Sequence, residues 1–174
     1  MDERDPVAHG GDGDDTFEVD GDVLAEGADT QANNNPMGLF GNMFAREDGG
    51  NLDIDGGEGV DTLLVTGDVK IDMGALDDNI SNIEQIDLGS GEQNIISLSV
   101  SDVLEITDDN NMLRIDGDSS DSIELNSEGE DAEWKLGDFK TDAETGSTYQ
   151  EVIGMEDDVT VGLEINTDID ISES

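Results

Sequence analysis

Residues 10–18 read GGDGDDTFE, and residues 56–64 read GGEGVDTLL. Both fit one frame, G-G-x-G-x-D-x-U-x, in which U is a large apolar residue. Glycine reaches backbone conformations that other residues avoid, so such a chain turns tightly and points carbonyl oxygens inward. Asp15 and Asp61 add carboxylate oxygens suited to a hard cation, which takes roughly six to eight oxygen ligands. Phe17 and Leu63, two residues further on, begin a short strand whose side chains fill an interior. The frame therefore predicts a cation-bearing turn followed by a core strand. Its candidate ligands are Gly11, Asp12, Gly13 and Asp15 in the first copy and Gly57, Gly59 and Asp61 in the second. Asp53 and Asp55, just ahead of the second copy, are placed to face the ligands of a neighbouring turn.

Weaker copies follow. Residues 116–124 (DGDSSDSIE) keep Gly117, Asp121 and Ile123 in the frame and add Asp116, Asp118 and Asp121 as candidate metal ligands. Residues 88–96 (LGSGEQNII) keep Gly89, Gly91 and Ile95, with Gln93 at the aspartate position, and the stretch 107–115 (TDDNNMLRI) offers Asn111 in that role. Asn and Gln side chains bridge stacked turns by hydrogen bonds and so replace a metal. Plain polar turns are the bland reading of any one copy, but a full nine-residue frame repeated with the same Asp-Thr pair argues against chance. Nothing matches the twelve-residue loop of an EF-hand through to its closing Glu.

The composition points to the same partner. The chain has 174 residues, with 47 acidic against 6 basic side chains and a formal net charge of −41. Nucleic-acid binding needs Lys and Arg to neutralise phosphates, so that class is excluded, and anionic membrane surfaces with it. A divalent cation is the simplest counter-charge, and calcium is the expected cofactor. Cysteine is absent, which removes disulfides, thiolate zinc sites and Cys nucleophiles, and the single His9 excludes any constellation of two histidines. There is no apolar run long enough to span a membrane, and no basic and apolar leader of the general secretory type.

A disordered acidic chain would lack periodic apolar residues. Here TLLVTG, VKIDM, IEQIDLG, NIISLSV, MLRIDG and SIELN are each rich in Ile, Leu and Val and bounded by Gly, Asp, Asn or Ser. They predict short strands over residues 50–126 at a spacing of about ten residues. SVSDVLEIT (99–107) predicts one helical turn, with Ser99 or Ser101 as N-cap and Val100, Val103 and Leu104 facing inward. Residues 30–48 interrupt the pattern with an asparagine run, Pro36 and a cluster of Met37, Leu39, Phe40, Met43 and Phe44. From residue 127 the chain reads as longer strands, AEWKLGDFK, STYQEVIGM and VTVGLEI, joined through AETGS and MEDD. The expected fold is a single all-β domain over residues 1–174. Residues 10–126 form a calcium-binding β-roll or β-solenoid-like body with the insert 30–48, and residues 127–174 an antiparallel hairpin cap. A calcium-stabilised antiparallel β-sandwich is the alternative.

The nonapeptides, with GVDTLLVTG and the run from ISNIEQIDLG to SIEL, resemble modules of the large repeats-in-toxin (RTX) adhesins secreted by bacterial type I systems. The resemblance covers residues 50–126 and weakens over 19–48 and over the tail. It implies an extracellular or cell-surface location, calcium-dependent folding and an uncleaved C-terminal export signal. It also implies a monomeric module within a longer multidomain chain, not inserted in a membrane. The expected function is adhesion through a peptide or glycan ligand on another cell or surface. Met37, Phe40, Met43 and Phe44 are the candidate binding residues, since methionine and aromatic clusters make adaptable surfaces. A purely structural spacer or cap without ligand is the alternative, in which residues 36–44 plug the open end of the β body. No G-x-S-x-G elbow, HExxH helix or histidine network appears, so the chain is not expected to be an enzyme. Adaptation to high salt also produces acidic surfaces, but it does not account for the nonapeptides.

Overall fold

Short runs in which every second residue is Ile, Leu or Val bury one face of a strand and leave the other wet. The computed structural model describes residues 8–21, 53–76, 79–127 and 132–173, and in these the protein is all-β with one short α-helix. The insert 30–48, with Met37, Phe40, Met43 and Phe44, lies outside the described residues.

The chain visits three sheets in rotation. A first circuit contains β1 (Ala8–Asp12) and β2 (Thr16–Asp20), and a second contains β3 (Ile54–Glu58), β4 (Thr62–Thr66) and β5 (Val69–Asp72). The third circuit contains β6 (Ile80–Ser81), β7 (Gln85–Asp87) and β8 (Asn94–Leu98). In the fourth, the helix α1 (Val100–Ile106) precedes β9 (Met112–Asp116) and β10 (Ser122–Leu125). The order is β1-β3-β6 in the first sheet, and β2, β4, β7 and β9 run consecutively in the second. In the third sheet β5, β8 and β10 do the same. Every pair between successive circuits is parallel.

Registered stacking puts like residues over like. Phe17, Leu63, Ile86, Ile115 and Ile165 form one column in the second sheet. Ile71, Ile96, Ile123 and Ile171 form another in the third. Leu63, Ile86, Ile96, Ile115 and Ile123 are buried. Each buried side chain of this kind contributes about 1.5–3 kcal/mol of transfer free energy, and with few aromatics these columns are the core.

Helix α1 takes the place where a first-sheet strand would continue below β6, and the Ile106 carbonyl accepts from Ile83 N. Ser99 is its N-cap: its hydroxyl accepts from Asp102 N, and the Asp102 carboxylate accepts from Ser99 N in return, a capping box. Val100, Val103 and Ile106 are buried as a helix spacing requires, while Leu104 is only half-buried.

The tail is more than a cap. Strands β11 (Glu133–Thr141), β12 (Thr148–Glu156) and β13 (Val159–Asn166) are antiparallel, but β13 also lies parallel on β9. Strand β14 (Asp170–Glu173) lies parallel on β10. Residues 159–173 thus form a fifth circuit, with the β11–β12 hairpin inserted before it. Asp157 opens the two-residue link from β12 to β13 at φ 52°, the conformation that tight hairpins need. Gly154 leaves room for the Trp134 ring, whose Nε1 donates to the Asn126 carbonyl at 2.9 Å.

A polar clamp fastens this tail. Arg114 on β9 donates to Glu164 on β13 at 2.9 Å and to Asp142 at 3.1 Å, and its guanidinium lies 4.6 Å from the Tyr149 ring centre. Lys140 also donates to Glu164. Burial pushes the Glu164 carboxyl up, but the bonds from Lys140 and Arg114 outweigh it and hold the group below its ordinary range. A depressed carboxylate stabilises the fold above its unfolded pKa, and that stability is lost as pH falls through the folded value. Arg114→Ala is therefore expected to cost about 2 kcal/mol at neutral pH and less below about pH 4.5, measured by urea unfolding across pH. A pH-independent loss would deny the clamp its charge.

Candidate functional site

The two nonapeptides, far apart in sequence, are neighbours in space. Gly11 pairs with Gly57, Asp12 with Glu58 and Thr16 with Thr62, so the turn 10–15 sits in register on the turn 56–61. Gly11, Gly13, Gly57 and Gly59 all have positive φ, between 101° and 150°. A β-carbon at Gly57 would overlap the Gly11 carbonyl oxygen, so the glycines set the approach of the two turns as well as their path.

The aspartates tie this corner vertically. Asp61 is fully buried, and its Oδ1 accepts from the Asp15 backbone N–H at 2.8 Å. Asp61 N–H in turn donates to Glu84 Oε2 at 2.9 Å, so Glu84 plays in the third circuit the part that Asp61 plays in the second. Burial raises the Glu84 carboxyl above its ordinary pKa, with the charges of Asp108 and Asp61 adding to it against bonds from the backbone N–H groups of Asp61 and Asp108. Asp14 Oδ1 accepts from Val60 N at 3.0 Å. Asp12 and Glu58 lie side by side on adjacent strands, both exposed, with no positive side chain between them among the described contacts. Asp61 Oδ2 is buried and has no hydrogen-bond partner among the described residues. It lies beside Gly56, near the Asn82 carbonyl.

The third circuit crosses this corner in fewer residues, from Ser81 to Gln85, than the second takes from Asp55 to Thr62. The shortfall leaves an open cleft of about 490 Å³ between the turns 57–59 and 107–111. Glu58, Asp108, Asp109, Asn82 and Asn111 line it, and both asparagines have positive φ.

The other sequence candidates are elsewhere. Asp55 faces outward from the first sheet, 3.1 Å from His9 Nδ1 and 2.7 Å from Asn82 Nδ2. Asp53 precedes β3, and its carbonyl accepts from Ala8 N. Asp116 accepts from Tyr149 Oη at 2.5 Å and from Gln85 Nε2 at 2.8 Å, which ties it to the clamp. Asp118 and Asp121 belong to a second corner, between the second and third sheets. There Asp121 Oδ1 accepts from Asn94 N (3.0 Å) and Asn94 Nδ2 (3.2 Å), and its Oδ2 accepts from Asp118 N. Asp118 is held below its ordinary pKa by the backbone N–H groups of Ser120 and Gly91.

The expected alignment of residues 88–96 needs a correction of one place. Asn94, not Gln93, stands against Asp121, and Ile96 is buried while Ile95 is not. The turn holds one more residue than the frame allows. Glu84 and Asn94 were not among the sequence candidates, yet each stands two residues before a buried isoleucine, Ile86 and Ile96. That spacing was the available signal.

Oxygen donors dominate the first corner: the carboxylates of Asp15 and Asp61 and the carbonyls of glycine turns, a set suited to calcium. Among the described residues no three His, Asp or Glu side chains converge on one point, so carbonyls would have to supply much of a coordination shell. No family model, curated protein or solved structure matches the chain.

Proposed function

We propose that the protein is a calcium-stiffened β-solenoid module of an RTX-type surface adhesin. The observation that carries the reading is Asp61: a fully buried carboxylate with an oxygen unpartnered among the described residues, between two G-G-x-G-x-D turns stacked in register. A buried anion with unmet bonding is costly, and a divalent cation meets both its charge and its valence. The formal net charge of −41 adds a general reason, since a folded chain so charged repels itself until cations gather. Asp15, Asp61 and the turn carbonyls would hold the ion, which supplies counter-charge and cross-links successive circuits. The parallel rotation through three sheets supports the solenoid over the sandwich.

Low calcium inside a cell and higher calcium outside would let such a chain cross a type I secretion apparatus loose and fold once outside. Adhesion to a peptide or glycan is part of the proposal through the Met37–Phe44 cluster. Among the described residues no helix is long and apolar enough to cross a membrane.

Calorimetric titration of the calcium-free protein tests the reading. Calcium is expected to bind with release of its own characteristic heat while equimolar magnesium does not compete, because magnesium demands smaller, near-octahedral sites. Asp61→Asn is expected to remove the strongest calcium-binding step. A wild-type titration with no calcium-specific heat and no effect on the melting temperature would reject the calcium reading.

A further inference from the structure

We propose that Asn94 closes a cation site at the second corner, its side-chain amide standing where the circuits would otherwise need an ion. This rests on the calcium reading of the Asp61 corner. The two corners have the same plan: a carboxylate turned back on its own glycine-containing turn, with an oxygen accepting a backbone N–H from the circuit before it. Asp61 accepts from Asp15 N and lies 2.7 Å from the place of a β-carbon on Gly56. Asp121 accepts from Asn94 N and lies 2.6 Å from that place on Gly117.

They differ in how the remaining valence is met. At the first corner Asp61 Oδ2 has no partner among the described residues. At the second, both oxygens of Asp121 accept: Oδ1 from Asn94 N and Nδ2, and Oδ2 from Asp118 N at 2.8 Å. The Asn94 amide nitrogen spans a carboxylate and a backbone carbonyl, donating to Asp121 Oδ1 at 3.2 Å and to Leu88 O at 2.9 Å. A carboxylate and a turn carbonyl facing one point are calcium ligands in kind, and the amide's two hydrogens satisfy both without an ion. Asn94 and Asp121 are 0% and 2% exposed, so the bridge is sheltered from water. Asn94 Oδ1 has no partner among the described residues, and the circuit before it presents Val69 at that register, a side chain with nothing to donate.

A single-atom-class change tests the assignment. Asn94→Asp removes the two donors and places a second carboxylate against Asp121, a pair that needs a cation or a proton. In EDTA at neutral pH its melting temperature is expected to fall by roughly 5–10 °C below wild type. Calcium, and not magnesium, is expected to restore most of that loss and to bind at one more site per chain than in wild type.

An Asn94→Asp protein as stable as wild type in EDTA would overturn the proposal. So would one destabilised, or unfolded, with no recovery in calcium. The wild-type titration reports separately on Asp61: if wild type ignores calcium while Asn94→Asp responds to it, the Asp61 reading fails and the Asn94 assignment stands.

Discussion

Gly56→Val is expected to abolish cooperative unfolding and leave a chain without the native β signal in circular dichroism. Gly56 is not at a positive φ, so its backbone is open to any residue, and the penalty is purely one of space. A β-carbon there overlaps the Asn82 carbonyl oxygen and lies 2.7 Å from both Cβ and Oδ2 of Asp61. Neither neighbour can yield. Asn82 O belongs to the backbone of the next circuit, and Asp61 is fixed through Asp15 and Glu84. Parallel strands stand about 4.8 Å apart, and a methyl-sized wedge at the corner breaks that spacing for the pairs Ile54–Ile80 and Thr62–Gln85 together. Overpacking a yielding core costs about 1–3 kcal/mol. Here the wedge meets backbone on one side and a buried charge on the other, so even Gly56→Ala is expected to exceed that range. Gly91→Ala is the control: Gly91 has φ 83° but open space around it, so only backbone strain is paid, about 1–2 kcal/mol. A Gly56→Val protein that melted within a few degrees of wild type would mean that the circuits do not approach as closely as the stacked turns require.

That stacking shows what the sequence made legible and what it did not. The nine-residue frame is readable because glycine and aspartate do distinct jobs at fixed offsets, and the structure sets its two full copies one on the other. Their separation in sequence hid this, since nothing in the frame itself says that aspartates 46 residues apart stand in register. The strands of the tail were readable from their alternation, but alternation marks a strand's faces and not its partners. Hence residues 127–174 were expected as a cap, whereas β13 pairs in parallel with β9, and β14, which was not read as a strand, pairs in parallel with β10. The cap was readable as Ser99 or Ser101, because capping is local, and the capping box with Asp102 places it at Ser99. The inward side of α1 was only partly so: Ile106 completes it in place of Leu104, because β6 and the Ile83–Ile106 hydrogen bond set how the helix lies. The slip by one at residues 88–96 has the same origin. A turn absorbs an extra residue without any change of residue type, so Asn94 and Ile96, not Gln93 and Ile95, occupy the buried positions. Glu84 was missed because the corner 81–85 has no glycine turn; only its place two residues before the buried Ile86 marked it, and its contact with Asp61 N gives its role.

Removing calcium is expected to loosen the protein unevenly. At free calcium about a hundredfold above Kd, one site adds about 2.7 kcal/mol. For a domain of this size that corresponds to a fall in melting temperature of roughly 5–11 °C in EDTA. If the ion belongs to the Asp61 corner, the loss falls first on β1 to β4. Amide hydrogens there, among them Asp15 N and Thr62 N, are expected to exchange about a hundredfold faster without calcium. The strands β8, β10 and β13 are expected to keep their protection, because the Asn94 amide and the Arg114 clamp join those circuits without an ion. Asp61→Asn sharpens the test. An asparagine at 61 can still accept from Asp15 N through its oxygen, while its amide nitrogen replaces the orphaned carboxylate oxygen beside the Asn82 carbonyl. That is the arrangement Asn94 already makes with the Leu88 carbonyl. The variant is expected to melt above wild type in EDTA, to gain little from calcium and to lose the difference in exchange between the two ends. Sodium chloride at matched ionic strength separates this from general screening, since screening a net charge of −41 acts on the whole surface and not on one corner. Uniform faster exchange in EDTA, or an Asp61→Asn protein that still needs calcium, would place the ion away from the stacked nonapeptides.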